Sequence, residues 1–235
     1  DVIHAHWPFP HAYIALGAAK LFRIPLVLNF HGAELLLIRK KKWVKPLLKF
    51  AIGQAQAVFA NSSFTAGKIK ALRNVDVEWS PYGTTLESGE ISAEPTQAPH
   101  PVNGKFKILF VGRHIERKGI CYLIEAAKYL PRDQFEIRIV GVGDITDKLK
   151  AQAAEVSTTP DAANIIFTGK LSPEELANEY KTANVFTLPA IVDSKGDTEG
   201  LGVVLIEAME LGLPVVASNV GGIPEMIDHL HNGYV

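Results

Sequence analysis

Cysteine is nearly absent from these 235 residues: Cys121 is the single example, which excludes an internal disulfide framework and fits a reducing compartment. It lies in an apolar helical pattern with Leu123, Ile124 and Ala127, so it reads as a buried small hydrophobe rather than a reactive thiol. Long apolar runs are missing too. Ile24–Phe30 and Val203–Ile206 are far too short to span a bilayer, and no charged-then-apolar leader stands at the front. Charge of one sign is also scarce, because the formal net charge is only −1. That balance excludes a nucleic-acid-binding composition overall. It conceals an asymmetry, however. Residues 1–103 carry 11 Lys+Arg against 7 Asp+Glu, or +4, and residues 104–235 carry 13 against 18, or −5. What is present is ordinary globular material, 47% hydrophobic and 21% charged, in a chain long enough to bury a core.

Short apolar runs alternate with helical periodicity along the whole chain. In the front part the strands are expected at Asp1–Ala5, Pro25–Phe30, Ala57–Ala60 and Val75–Ser80. The helices between them are expected at Ala12–Phe22, from Lys42 to about Ala55, and at Phe64–Leu72 behind the cap cluster Asn61-Ser62-Ser63. Residues 84–104 turn to Gly, Pro, Ser, Thr and Glu and read as a linker, giving a front domain over 1–100 and a second over 101–235. There the rhythm is strict. Strands Phe106–Val111, Phe135–Val140, Ile165–Thr168, Val185–Leu188 and Val215–Ala217 lead to helices Ile120–Leu130, Ile145–Val156, Pro173–Thr182, Gly202–Leu211 and Pro224–His229. Such alternation means right-handed βαβ units and parallel sheets, whose carboxyl edges gather the loops that bind ligands. Both ends read as cut. The first residues enter a strand directly, and Asn232–Val235 feeds another, so the sequence is expected to be an internal piece of something longer.

Two segments on that edge carry chemistry. In Glu199-Gly200-Leu201-Gly202 through Glu207, two glycines stand where a loop becomes a helix, so free backbone N–H groups and the positive dipole end suit a diphosphate or a sugar hydroxyl. Glu199 precedes the helix, and Glu207 lies further in, where a carboxylate can accept both hydroxyls of a ribose. The plainer alternative is a helix start with a surface glutamate. In Gly112–Gly119, Arg113 and Lys118 flank a tight turn after a buried strand, and two cations there would neutralise a departing pyrophosphate, or else decorate a solvated turn. The spacing is not that of a Walker A loop. Gly141-Val142-Gly143 opens like a dinucleotide fingerprint, but Thr146 replaces its third glycine.

Taken together, these residues resemble the family 4 (GT4-type) retaining glycosyltransferases of the GT-B fold. The matching segments are Phe110-Val111-Gly112-Arg113 with Lys118-Gly119, Gly141-Val142-Gly143, Ile166–Gly169, Leu176 with Tyr180 and Ala183–Phe186, the E-x7-E pair Glu199 and Glu207, Gly212 with Pro214–Ala217, and Gly221-Gly222 with Glu225. They fall in the family's order across residues 106–235. The resemblance implies an α/β fold of two Rossmann-like domains with parallel sheets facing each other across a cleft, the N-terminal one incomplete. It implies transfer of a sugar from a UDP- or GDP-type donor to a hydroxyl acceptor with retention, in cell-envelope glycan, glycolipid or polysaccharide synthesis. Neither cofactor nor metal is implied, since cations and a helix N-terminus can supply the electrostatics. Glu199 would contact the donor sugar, Glu207 the ribose, Arg113 and Lys118 the β-phosphate, the backbone near Leu171 the base, and the amides of Gly200, Leu201 and Gly202 the sugar or phosphate. In the front part, Asn29-Phe30-His31-Gly32-Ala33-Glu34 matches the family's His-Gly turn, placing His31 beside the transferring sugar and Gly32 in close approach.

The sequence also departs from that pattern. Ser80-Pro81-Tyr82-Gly83-Thr84-Thr85 replaces the family's Pro-Asn-Gly-Val-Asp, Ile191–Thr198 is a polar loop ahead of Glu199, and Leu201 stands for a common Phe. His4, His6 and His11 read as cleft-lining or structural rather than metal-binding. Arg39–Lys49 holds six cations and no acid among Trp and Leu, and suits either a peripheral contact with anionic lipid or a solvated helix face. The expected partners are a nucleotide-sugar donor and a sugar, lipid-linked or other hydroxyl acceptor, with no nucleic acid, and the expected place is cytoplasmic or on the inner face of the cell membrane. Rival readings are a nucleotide-sugar-binding module without turnover and another GT-B enzyme such as a sugar-nucleotide epimerase.

Overall fold

The computed structural model describes residues 1–83 and 104–235, so the linker expected over 84–104 lies outside the described residues except for Gly104. The chain divides into two compact units, Asp1–Tyr82 and Gly83–Val235.

The first unit is a four-stranded parallel sheet in the order β1-β2-β3-β4. Its strands are β1 (Ile3–His6), β2 (Leu26–Phe30), β3 (Ala57–Ala60) and β4 (Glu78–Trp79). Its helices are α1 (Pro8–Phe22), α2 (Ala33–Lys40), α3 (Val44–Ile52) and α4 (Ser63–Leu72). The core forms because β2 is buried along nearly its whole length, through Leu26, Leu28 and Phe30, and α3 offers Val44, Leu48, Ala51 and Ile52 at helical spacing. The expected cap is present: Ser62 accepts the Thr65 N–H at 3.1 Å and opens α4.

The second unit is a five-stranded parallel sheet in the order β7-β6-β5-β8-β9. Its strands are β5 (Phe106–Val111), β6 (Phe135–Val140), β7 (Asn164–Gly169), β8 (Val185–Leu188) and β9 (Val215–Ala217). The α-helices are α5 (Ile120–Ala126), α6 (Thr146–Val156), α7 (Pro173–Thr182) and α8 (Val203–Glu210). Leu109, Phe110, Ile137, Ile139, Phe186 and Leu188 fill the sheet from both faces, as doubly covered parallel strands require. A capping box between Ser172 and Glu175, with Pro173 in the first turn, fixes where α7 begins.

Several elements differ from the sequence reading. The helix expected from Lys42 to Ala55 is narrower, and a further helix, α2, precedes it, so the cationic stretch Arg39–Lys49 straddles two helices. The strand expected at Val75–Ser80 shrinks to two residues, β4. Instead of a helix at Pro224–His229 there is a single 3-10 turn, Ile223–Glu225, after which the Asn232 side chain accepts the Asp228 N–H at 2.7 Å and closes a turn. Cys121 is half-buried and packs against the second core. At the other end of that region, Tyr234 exchanges hydrogen bonds with Val215 and Ala217, so the final residues do run alongside β9.

Candidate functional site

The strand order of the second unit reverses direction between β5 and β8. Successive connections leave that point toward opposite edges, which opens a crevice at the carboxyl ends of these two strands. The loops that follow them therefore meet, and they meet on named side chains. Lys118 closes the loop after β5 and pairs with Glu199 in the loop after β8, Nζ to Oε2 2.5 Å, with side chains only 10% and 13% exposed. Burial pushes the Glu199 carboxyl upward, but Lys118, then Arg117 and the Gly200 N–H, outweigh it and hold the group below its ordinary range.

The Glu199 loop is fastened at further points. Ile191 N–H donates to the Arg117 carbonyl at 2.9 Å, and Ser194 donates to the Glu116 carboxylate through both its N–H and its hydroxyl, at 2.9 and 2.8 Å. Within the loop, Asp193 Oδ1 accepts the N–H groups of Lys195 and Asp197 at 2.9 and 2.8 Å. The polar composition of Ile191–Thr198 is thus the signature of a loop folded onto its own side chains and onto Glu116. Two glycines make the approach possible. A Cβ on Gly119, at φ 65°, would stand 1.7 Å from the Pro189 carbonyl oxygen, and one on Gly221, at φ 60°, would stand 1.8 Å from that of Glu199.

The remaining residues singled out from sequence take distinct positions. Gly202 is the N-cap of α8, and Leu201 is buried at 3% exposure, so its side chain packs and only its backbone can serve a ligand. Glu207, on α8, accepts the Tyr180 hydroxyl at 2.8 Å, and Tyr180 is almost wholly buried. Burial, then the Glu207 charge, raises the Tyr180 phenol and keeps it a donor. Leu171, between β7 and α7, packs at the margin of the core. Arg113 is exposed and makes no ion pair among the described residues, so the two cations expected to act alike differ: Lys118 is buried and paired, Arg113 is available. Beside it His114 is fully buried, its Nδ1 lying 3.0 Å from Thr146 Oγ1, and Gly143 passes so close that a Cβ would meet the His114 backbone. The Gly141–Gly143 segment is therefore a tight seat for the Arg113 loop.

In the first unit, β1 and β2 end side by side, with His6 in register with Asn29. That brings His31 under aromatic cover. Trp7 and Tyr82 lie near-parallel to its ring at centroid distances of 5.0 and 5.5 Å, and His6 at 5.2 Å. Both ring nitrogens are engaged: Nδ1 with the Tyr82 hydroxyl, Nε2 with His6 Nδ1 at 3.0 Å. Burial, then His6 and His4, lowers the His31 pKa, so the ring stays neutral at physiological pH. Its backbone is held as well: the N–H donates to Glu34 Oε1 at 2.8 Å, and the carbonyl accepts from the Asn61 amide at 3.4 Å. Gly32 is the N-cap of α2 at φ 97°. His11 sits apart, with Nδ1 3.0 Å from the His6 carbonyl oxygen. Trp7, Tyr82, Glu34 and Glu116 were not legible as site residues. A tryptophan after a strand or a lone acid in a turn carries no spacing signal until the topology brings partners to it.

Among the described residues no three His, Cys, Asp or Glu side chains gather to hold a metal ion, and no helix is long and apolar enough to cross a membrane.

The family model described as "Glycosyl transferases group 1" matches residues 93–235, and that described as "Glycosyltransferase Family 4" matches residues 1–83. Among curated relatives, the amylovoran biosynthesis glycosyltransferase AmsK of Erwinia amylovora is 38% identical over 131 residues, covering 55% of this chain and 31% of its own. The putative teichuronic acid biosynthesis glycosyltransferase TuaC of Bacillus subtilis is 29% identical over 238 residues, covering 98% of this chain and 56% of its own. The matched part thus spans 31% of the first of these relatives and 56% of the second. Among solved structures, Anabaena Alr3699/HepE in complex with UDP has a TM-score of 0.74 at 20% identity, over 99% of this chain and 64% of that one. Sucrose-phosphate synthase from Thermosynechococcus elongatus has a TM-score of 0.73 at 22% identity, over 99% and 59%. At such identities these likenesses carry the fold, two Rossmann-like α/β units of GT-B type. With a family model covering most of its length and a second covering its front, this chain belongs to the group 1 glycosyl transferases of GT4 type.

Proposed function

We propose that the intact protein moves a sugar from a UDP- or GDP-type donor to a hydroxyl acceptor, with retention of anomeric configuration. The observation that carries this reading is the Lys118–Glu199 pair at the switch point of the second sheet, beside the N-terminus of α8. A buried cation and a helix N-terminus on one crevice suit a diphosphate, and a carboxylate between them suits sugar hydroxyls. In this reading Lys118 and Arg113 receive the β-phosphate, the backbone amides at Gly200, Leu201 and Gly202 border the sugar and phosphate, Glu207 takes the ribose, and the backbone at Leu171 meets the base. His31 and Gly32 belong to the acceptor-side unit. Support for the donor class comes from relatives, among them a GDP-mannose-dependent mannosyltransferase of Mycobacterium tuberculosis, 34% identical over 131 residues, and from HepE, solved with UDP. The electrostatics of the crevice lets the transfer proceed with neither metal nor cofactor. Glu199 is bound to Lys118 and serves as a hydrogen-bonding carboxylate, so front-face transfer without a glycosyl-enzyme is the route we favour. A cytoplasmic protein docked on the inner membrane face through its basic first-unit helices completes the reading.

The test is a thermal-shift panel of nucleoside diphosphates on the intact protein, followed by a transfer assay. UDP or GDP at a hundred times its Kd is expected to stabilise by about 2.7 kcal/mol. Stabilisation by none of them overturns the reading, as does a glycosyl adduct on a carboxylate for the front-face route.

A further inference from the structure

The partners around His31 bear on where its proton resides. Its ring nitrogens have one partner each, the Tyr82 hydroxyl on Nδ1 and His6 Nδ1 on Nε2. Whether Nδ1 accepts or donates is decided by the environment of Tyr82. The carbonyl of His31 can only accept, so the NH2 end of Asn61 faces this cluster. The Tyr82 hydroxyl lies within hydrogen-bonding reach of His31 Nδ1. The phenol proton then needs an acceptor of its own. Glu34, whose charge is felt at Tyr82, takes no bond from it: Oε1 receives the His31 N–H and Oε2 is buried without a hydrogen-bond partner. His31 Nδ1 is what is left. Burial, then Glu34, pushes the Tyr82 pKa up to about 12, so this hydroxyl keeps its proton across the physiological range.

We propose that Tyr82 is a positioning residue for His31: its hydroxyl donates to Nδ1, confines the imidazole proton to Nε2, and makes His31 a hydrogen-bond donor to a sugar oxygen rather than a general base. The choice of a sugar oxygen rests on the glycosyltransferase reading; the tautomer does not. The Nε2–H points at exposed His6, which accepts it through Nδ1. A sugar hydroxyl competes with His6 for that same proton, and the neutral ring gives up one acceptor for another without a change of charge. The ring is kept in this pose by its backbone bonds to Glu34 and Asn61 and by the cover of Trp7, which takes up a left-handed φ of 56° to lie against it. A bulky residue in that region is strained and persists where the surroundings hold it.

The experiment is nitrogen NMR of the intact protein labelled with ring-15N histidine, with His31 assigned from His31→Gln, alongside steady-state transfer kinetics. The wild-type His31 is expected to show a pyridine-type Nδ1 and a protonated Nε2. Tyr82→Phe, which removes one oxygen and keeps the ring, is expected to shift the signature toward Nδ1–H and lower kcat by about tenfold or more, with the donor KM within about twofold. A wild-type proton on Nδ1 overturns the proposal on its own, before any variant is needed. An unchanged signature in Tyr82→Phe, or a changed one with unchanged kcat, overturns it too. Absence of transfer with every donor would instead sink the glycosyltransferase reading, while the NMR signature would still decide the role of Tyr82.

Discussion

Lys118 and Glu199 each have a reason to be costly. A cation and a carboxylate with so little exposure lose most of their hydration, and each is tolerable because the other is there. Lys118→Met is therefore expected to destabilise by about 3–5 kcal/mol, as an uncompensated buried carboxylate is left behind. Adding Glu199→Gln should return much of that loss, and a double-mutant cycle by denaturant unfolding measures the coupling; additive losses would show the pair to be incidental. The sign with pH follows from the lowered carboxyl: the pair contributes fully above the ordinary carboxylate range, and its contribution disappears as acid titrates Glu199 through its depressed folded value. At this scale the sequence was legible where spacing repeats a known pattern. Glu199, Glu207, Arg113 and Lys118 stood out by position, and the structure puts all four on the loops and helix around the β5–β8 crevice. Tyr82 did not stand out, because its meaning lies in a contact made 51 residues away with His31.

At the scale of elements, β5, β6 and α7 are joined by a second charged cluster away from the crevice. Glu179 on α7, buried at 6% exposure, pairs with Arg138 of β6 and, at 3.0 Å, with Lys107 of β5, whose Nζ also donates to Thr182 at 2.6 Å. Burial pushes this carboxyl up, but Arg138 and Lys107 more than offset it and hold it low. Glu179→Ala leaves two cations facing each other across the sheet and is expected to cost about 3–5 kcal/mol, read by denaturant unfolding with an unchanged slope. The cluster's stabilisation should likewise persist above the ordinary carboxylate range and vanish as acid protonates Glu179. Strands and most helices were legible because buried parallel strands are continuous apolar runs and capped helices announce their starts. Helix α2 was not. Its start is signalled by Gly32 and by Glu34 reaching back to the His31 N–H, not by a Ser, Thr or Asp cap, and its Leu-rich run lacks polar alternation to set its period.

For the molecule as a whole, the uneven charge of the sequence becomes a surface. Lys41, Lys42, Lys45 and Lys49 are exposed at the α2–α3 junction and along α3, with Trp43 56% and Phe50 48% exposed among them. Each cation near an anionic bilayer is worth about 1 kcal/mol. The intact protein is expected to sediment with phosphatidylglycerol vesicles and not with phosphatidylcholine ones. Changing Lys42, Lys45 and Lys49 together to Glu should weaken binding at least tenfold, and equal binding by the variant would refute the docking face. The crevice of the second unit has a different logic. The loop bearing Glu199 is wedged between Gly119 and Gly221 and latched by Glu116, so its conformational entropy is surrendered during folding and not on arrival of the proposed donor. Association there needs no ordering step for that loop. In the proposed donor-binding role, discrimination among donors falls to rigid shape and charge, and to whichever side chains stand at the rim of a mould already cast.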